Sequence, residues 1–431
     1  MLYSNLSVNE NGHLTFAGVD TVEMAKKYGT PLFLVDEQRI RDNCRMYVNA
    51  MREHFGNGSF PLYASKAFSF KEIYRIANDE NMGVDFVSIG EMYTALKAGF
   101  PIEKGFFHGN NKTLEDIEFA VKNGVGYIVA DNPDELYDID AECKKQGKKQ
   151  KILLRITPGV DSHTFEKINT GKVDSKFGMP IVTGQAEQFC IAMKQYENIE
   201  FCGYHCHIGS QIFDCDPFYL TADIMVDFIA DMNKKHGIEC KILNLGSGFG
   251  IKYNQNDIVM DRVAGIKGIS QHIKDRCNQK NIPELQIIME PGRGIVGDAC
   301  ITLYTVGSVK EIPGYRNYVS IDGGMTDNPR YALYGAEHEI INAQRASEIE
   351  DYVCTVAGRC CESGDLIREN VKIAKAQKGD IIAALTTGAY NYSMASNYNR
   401  ICRPAVVMIN DKKDRVVIRR ETLDDLIQRD V

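Results

Sequence analysis

The chain has 431 residues, 44% of them hydrophobic and 25% charged, with a formal net charge of −8. That length allows two or three domains, and the acidic balance argues against a nucleic-acid partner, which needs a basic face. No apolar run reaches the length of a membrane span, no basic-then-apolar leader opens the chain, and the 13 scattered cysteines fit free thiols in a reducing cytoplasm.

Short apolar segments then recur between helical patterns. They are Leu62–Ala64, Val84–Val87, Gly105–His108, Tyr127–Ala130, Ile152–Ile156, Phe201–His205, Ile242–Leu245 and Ile287–Glu290. Amphipathic stretches such as Ser88–Gly99 and Asp134–Cys143 lie between them. Near-continuous apolar strands alternating with helices predict a parallel sheet buried on both faces. Eight such units predict an α/β fold of the (β/α)8 TIM-barrel type, with a doubly wound sheet as the alternative. Lys66, Asp85, His108, Asp131, Arg155, His207, Gly246 and Glu290 all fall at the C-terminal ends of these strands, where barrels place their chemistry. Beyond Arg293 the pattern changes. The segments 301–309, 318–321, 352–357, 380–385 and 405–409 read as strands of a mostly antiparallel β domain. The expected division is a barrel over residues 31–295 and a β domain built from 1–30 and 296–431. Residues 161–176, rich in Ser, Thr, Asp and Gly, are the candidate for a mobile loop.

A lysine at the end of a buried strand, if desolvated, has a lowered pKa and can form a Schiff base, pyridoxal phosphate (PLP) included. PLP also needs a phosphate cradle, a carboxylate opposite its pyridine nitrogen, a face to stack on and a proton donor. Glu290 is suited to the nitrogen, although a helix cap or a salt bridge to Arg293 would also explain it. Gly246-Ser-Gly-Phe-Gly250 follows a strand and can offer backbone N–H groups to a phosphate, or form a simple tight turn. His207 can lie against the ring, with Ser210 reaching the phosphate; a satisfied core histidine is the alternative. A zinc site on His205-Cys206-His207 fails on strand geometry and lacks a second ligand pair, so no metal is expected.

Several longer motifs accompany these residues: Arg155-Ile-Thr-Pro-Gly-Val-Asp-Ser-His163, Asp174-Ser-Lys-Phe-Gly178, Asp327-Asn-Pro-Arg-Tyr-Ala-Leu-Tyr334, Cys361-Glu-Ser-Gly-Asp365, Gly388-Ala-Tyr390 and Tyr392-Ser-Met-Ala-Ser-Asn397. On them the chain resembles the diaminopimelate decarboxylases, within the alanine-racemase-like group of PLP enzymes, from about Pro31 to Val407. The resemblance implies decarboxylation of meso-diaminopimelate to lysine by a homodimer with shared active sites. It implies that Lys66 carries PLP, that Asp85, Arg155, His207, Gly292, Glu290, Arg293 and Tyr390 line the cofactor, and that Ser210 with Gly246, Ser247 and Gly248 binds its phosphate. It further implies substrate contacts from Arg293, Arg330, Tyr334, Glu362 and Tyr390, with Cys361 as proton donor. Two departures stand out. Ser247 occupies the middle of what is usually a triple glycine, and Cys360 directly precedes the expected acid. Paired arginines suit a substrate with two carboxylates, whereas a decarboxylase of another basic amino acid or of carboxynorspermidine would meet a cationic tail with carboxylates.

Overall fold

The computed structural model describes residues 1–56, 58–161, 171–258 and 260–431. Two compact units emerge, one of residues 44–250 and 259–292, the other of 1–43, 251–258 and 293–431.

The first unit is the barrel. Its strands are Phe60–Ala64, Gly83–Phe86, Gly105–Phe107, Tyr127–Ala130, Gln150–Thr157, Ile199–His205, Ile242–Asn244 and Gln286–Met289. Each pairs in parallel with the next, and the eighth returns to the first through Ile288 opposite Phe60. All eight strands read from the sequence are present. The barrel interior is closed by a layer of Leu62, Phe106, Val129, Leu153, Cys202, Ile242 and Ile288, one residue from each of seven strands. That packed layer leaves only the strand ends open to chemistry. The intervening helices start and stop where their caps dictate. Ser88 accepts from Glu91 N–H and left-handed Gly99 ends that helix; Asn132 accepts from Glu135 N–H, ahead of Pro133, and left-handed Gly147 ends the next. Most of the candidate mobile loop, residues 162–170, lies outside the described residues.

The second unit is a mixed β sheet. Its main path runs Leu366–Ile373, Tyr352–Ala357, Arg316–Ile321, Cys300–Ile312, Leu32–Asp36, Ala405–Asn410 and Lys413–Ile418. Most pairings are antiparallel, but Leu32–Asp36 runs parallel to Ala405–Ile409, and Tyr318–Ser320 parallel to Thr355–Ala357. The expected boundary at residue 31 therefore needs correction: Leu32–Asp36 is a sheet strand, antiparallel to Cys300–Leu303. Its five residues are all buried, so its apolar run looks the same whichever sheet it joins. The N-terminal strands Leu6–Val8 and Leu14–Phe16 pair with each other and pack Leu14 and Phe16 against Leu34, Leu303 and Val407.

Asp327 is buried in this unit, with Tyr304 Oη 2.6 Å from its Oδ2 and Gly324 N–H donating to its Oδ1 at 3.1 Å. Burial raises its carboxyl to about 7 from 3.8. Between those values the folded chain holds a proton that the unfolded chain has released, so this group's contribution to stability falls as pH rises through the window. An asparagine in its place would mimic the protonated acid without titrating. We expect the melting temperature of Asp327→Asn to match wild type near pH 4 and to exceed it increasingly up to pH 7, the difference worth at most about 4 kcal/mol. Thermal unfolding across that range checks it; a constant difference at every pH would contradict it.

Candidate active site

Lys66 lies in a single 3-10 turn, Ser65–Ala67, directly after the first barrel strand. Ser65 and Ala67 are buried but Lys66 is exposed, which corrects the expectation of a desolvated amine. The turn lifts the lysine out of the strand at the barrel's C-terminal end. Its charge acts on Asp85, Glu91 and His207. Asp85, on the second strand, is buried, and no hydrogen bond among the described residues satisfies its Oδ1. Burial raises its carboxyl, against the charges of His108 and Lys66. Glu91, which sequence reasoning did not single out, accepts from Val87 N–H at 2.7 Å and is raised to about 7, chiefly by burial.

Glu290 directly follows the eighth strand and is also buried. Asn244 Nδ2 donates to its Oε1 at 2.6 Å, His205 Nε2 lies 3.2 Å from Oε2, and His108 Nε2 lies 2.9 Å from Oε1. Burial alone would raise this carboxyl; His108 and His205 outweigh it and hold Glu290 well below the usual carboxylate range. Burial also drives His205 down to about 3, so that ring supports Glu290 as a neutral N–H donor. These two histidines and Glu290 are close enough to hold a metal, with ligand atoms within 4.8 Å of one another, yet each histidine Nε2 already faces the carboxylate. Cys206 and His207 do not join that group.

The phosphate-cradle candidates converge. Gly246 has φ +62° and Gly248 +136°, and a Cβ at these positions would fall 2.5 Å from His207 Nδ1 and 2.2 Å from Gly209 O. Only glycine fits either place. Ser247, between them, does not adopt a left-handed φ, so the departure from three glycines carries no backbone strain. Its N–H donates to His207 Nδ1 at 3.4 Å. The Ser210 loop is tied to this one by Ile212 N–H to Gly248 O and Gly250 N–H to Ile212 O, both 2.9 Å. His207 is half-buried, and burial, then the Lys66 charge, holds it well below 6.5. Gly292 packs so closely on Ala64 that a Cβ would lie 2.9 Å from the alanine's own. Arg155 is buried over the Phe177 ring at 4.3 Å, its Nε 3.8 Å from Asp131 Oδ1.

The β unit gathers a second cluster. Arg293 donates to Tyr253 Oη and lies over the Tyr390 ring at 4.9 Å. Arg330 lies over Tyr334 at 4.5 Å and over the same Tyr390 at 5.6 Å. Tyr390 is held at φ +61°, a conformation a bulky residue keeps only when its surroundings impose it. Arg330 is 5% exposed, and among the described residues it makes no side-chain hydrogen bond or ion pair. Cys361 and Glu362 sit apart, exposed on a turn. Cys361 N–H donates to Asn399 Oδ1 at 2.8 Å, and no described hydrogen bond or ion pair links either residue to the arginines. Cys360 is buried and its thiol pushed up to about 11 by burial, so of the neighbouring pair Cys361 is the accessible one.

Residues 38–297 match the family model for the pyridoxal binding domain of the pyridoxal-dependent decarboxylases. Over 430 residues the chain is 43% identical to the diaminopimelate decarboxylase of Bacillus subtilis (strain 168), covering all of this chain and 98% of that one. It is 43% identical to the Staphylococcus aureus (strain COL) diaminopimelate decarboxylase, covering 98% of each. This chain belongs to the diaminopimelate decarboxylase family. A crystal structure of the diaminopimelate decarboxylase from M. jannaschii in complex with L-lysine superposes with a TM-score of 0.91 at 33% identity, covering 99% of this chain and 98% of that one.

Diaminopimelate decarboxylases of this kind depend on pyridoxal phosphate, and the barrel residues fit it. The orphaned Asp85 Oδ1, the backbone cradle that a Cβ would fill, and a buried ionised carboxylate beside Asn244 and two histidines are features a dry core would not keep. When bound, PLP withdraws electrons from the substrate's α-carbon. Glu290 could hold a proton on the pyridine nitrogen by its charge, neutral His207 could offer a flat face, and Lys66 could supply the amine. Asn244, Glu91 and Tyr253 escaped the sequence reading, which weighed His205 only as a zinc ligand. Asn244 and His205 lie inside apolar strand segments, and nothing local to Tyr253 marks it as a partner of Arg293, 40 residues on.

Proposed function

We propose that the chain removes one carboxylate of meso-2,6-diaminopimelate as carbon dioxide, forming L-lysine with pyridoxal phosphate as cofactor, the last step of lysine biosynthesis. The observation that carries this is Arg330. A buried guanidinium without an anionic partner is costly, and its flanking tyrosines satisfy only its faces. A planar carboxylate, accepting two N–H groups side by side, is the ligand such a fork suits. A substrate with a bare cationic tail would be repelled there. The lysine held by the M. jannaschii relative supports the product. Lys66 is the residue that carries the cofactor, Ser210 with residues 246–248 takes its phosphate, Arg293, Arg330, Tyr334, Tyr390 and Glu362 contact substrate, and Cys361 returns the proton. The active form is a cytoplasmic homodimer whose sites draw on both subunits, a reading supported by the exposure of Cys361 and by its distance in sequence from Lys66. Among the described residues no helix is long and apolar enough to cross a membrane.

Incubation with meso-diaminopimelate should release lysine and carbon dioxide. Arg330→Ala should weaken kcat/KM for that substrate by about 2–5 kcal/mol, the cost of a lost partly buried ion pair. It should barely change any slow turnover of lysine-like substrates that lack the second carboxylate. Equal losses on both would make Arg330 structural. Preference for a monocarboxylate diamine would assign a different basic amino acid.

A further inference from the structure

Asn244, the last residue of the seventh barrel strand, is fully buried and makes two hydrogen bonds in opposite directions. Its Oδ1 accepts from Gly246 N–H at 2.9 Å. A backbone N–H can only donate, so the carboxamide oxygen must face Gly246 and the NH2 group must face the other way. There it meets Glu290 Oε1 at 2.6 Å. The same two partners are joined directly, Glu290 N–H donating to Gly246 O at 2.7 Å. One side chain thus touches both the glycine loop and the carboxylate opposite it, from a fully buried position.

We propose that Asn244 is a positioning residue that ties the phosphate loop to Glu290 and keeps Glu290 an acceptor, so that a protonated pyridine nitrogen and a seated phosphate are held by one linked element. This rests on the assignment of Glu290 to the pyridine nitrogen. The physical content lies in the donor's sign. Glu290 is also faced by His108 and His205, with Asp85 and Arg155 acting on the same region. Of these, Asn244 is the neutral group that cannot reverse its role, because Gly246 locks its orientation. His205, by contrast, can exchange tautomers.

The Asp variant separates this role from mere packing. Asn244→Asp keeps the shape and the acceptor for Gly246, but sets an oxygen against Glu290 Oε1; the two carboxyls must then share a proton. Asn244→Ala removes the bridge and leaves Glu290 ionised by its histidines. A packing role predicts that the isosteric Asp is the milder change; a positioning role predicts the reverse at the pyridine nitrogen. The test loads each protein with PLP labelled with 15N at the ring nitrogen and reads its chemical shift at neutral pH, alongside the PLP dissociation constant of the apo-enzyme. Wild type and Asn244→Ala should show a protonated nitrogen, and Asn244→Asp an unprotonated one. Asn244→Ala should bind PLP at least about tenfold more weakly, one hydrogen bond to a charged group. A protonated nitrogen in Asn244→Asp, or an unprotonated one in Asn244→Ala, overturns the proposal. If Asn244→Asp does not fold, the affinity of Asn244→Ala decides, and wild-type affinity overturns it. Glu290→Gln is the control for the underlying assignment. A proton retained there removes the basis altogether, whereas a proton lost there but kept in Asn244→Asp defeats only the role of Asn244.

Discussion

Replacing Lys66 by alanine should lower turnover of meso-diaminopimelate by about 10⁴-fold or more, the scale seen when a covalent catalytic group is removed. The lysine is raised on the Ser65–Ala67 turn within electrostatic reach of Asp85 and His207. Borohydride reduction of the wild type followed by peptide mapping should find the pyridoxyl group on Lys66, and a label elsewhere would reassign the site. The same variant tests the dimer. Cys361→Ala should also be inactive, since an exposed thiol is the proposed proton donor. Lys66→Ala and Cys361→Ala proteins, mixed in equal amounts and allowed to exchange subunits, should recover about a quarter of native activity, because half the dimers would then own one intact site of two. No recovery after demonstrated exchange would put both residues in one chain's site, or remove Cys361 from catalysis.

Glu290→Gln should retain PLP and lose about 10²–10³-fold in kcat, the range for removing a preorganised electrostatic partner. The amide is isosteric but neutral, so it cannot hold a pyridine proton by charge. It also conflicts with its own surroundings. Asn244 donates to the carboxylate, and His205 and His108 lie within 3.2 Å of it, so a glutamine must turn its NH2 group toward at least one of them. Steady-state kinetics together with the cofactor's absorption spectrum would check this. Near-normal kcat would mean that the ring nitrogen is not held by Glu290.

The eight barrel strands were legible because a parallel sheet covered on both faces demands uninterrupted apolar runs, and the polar residue closing each run marked the chemical end. Most of the β unit was legible in the same way, from Cys300–Ile312 to Ala405–Asn410. The short strand Ile340–Asn342 and the half-exposed Leu366–Ile373 and Lys413–Ile418 have too few buried positions to stand out from loops. Leu32–Asp36 shows the limit more sharply. Its residues announce a buried strand, but only pairing with Cys300–Leu303 and Ala405–Ile409 assigns it to a sheet.

The kind of chemistry was readable from residue types taken together with the motifs that carry the family resemblance. One lysine at a strand end, a glycine-rich turn and a carboxylate after the last strand are groups that few other cofactors would require together, and their identities do not depend on contacts. How those groups are tuned emerged only from the folded arrangement. Lys66 proved exposed, Ser247 proved harmless between two left-handed glycines, and Asn244, His108 and His205 proved to stand behind Glu290. Orientation and ionisation of a buried group are set by the donors facing it. Those donors come from other strands, 46 residues away for Asn244 and 85 for His205. No local pattern along the chain records which of them meet.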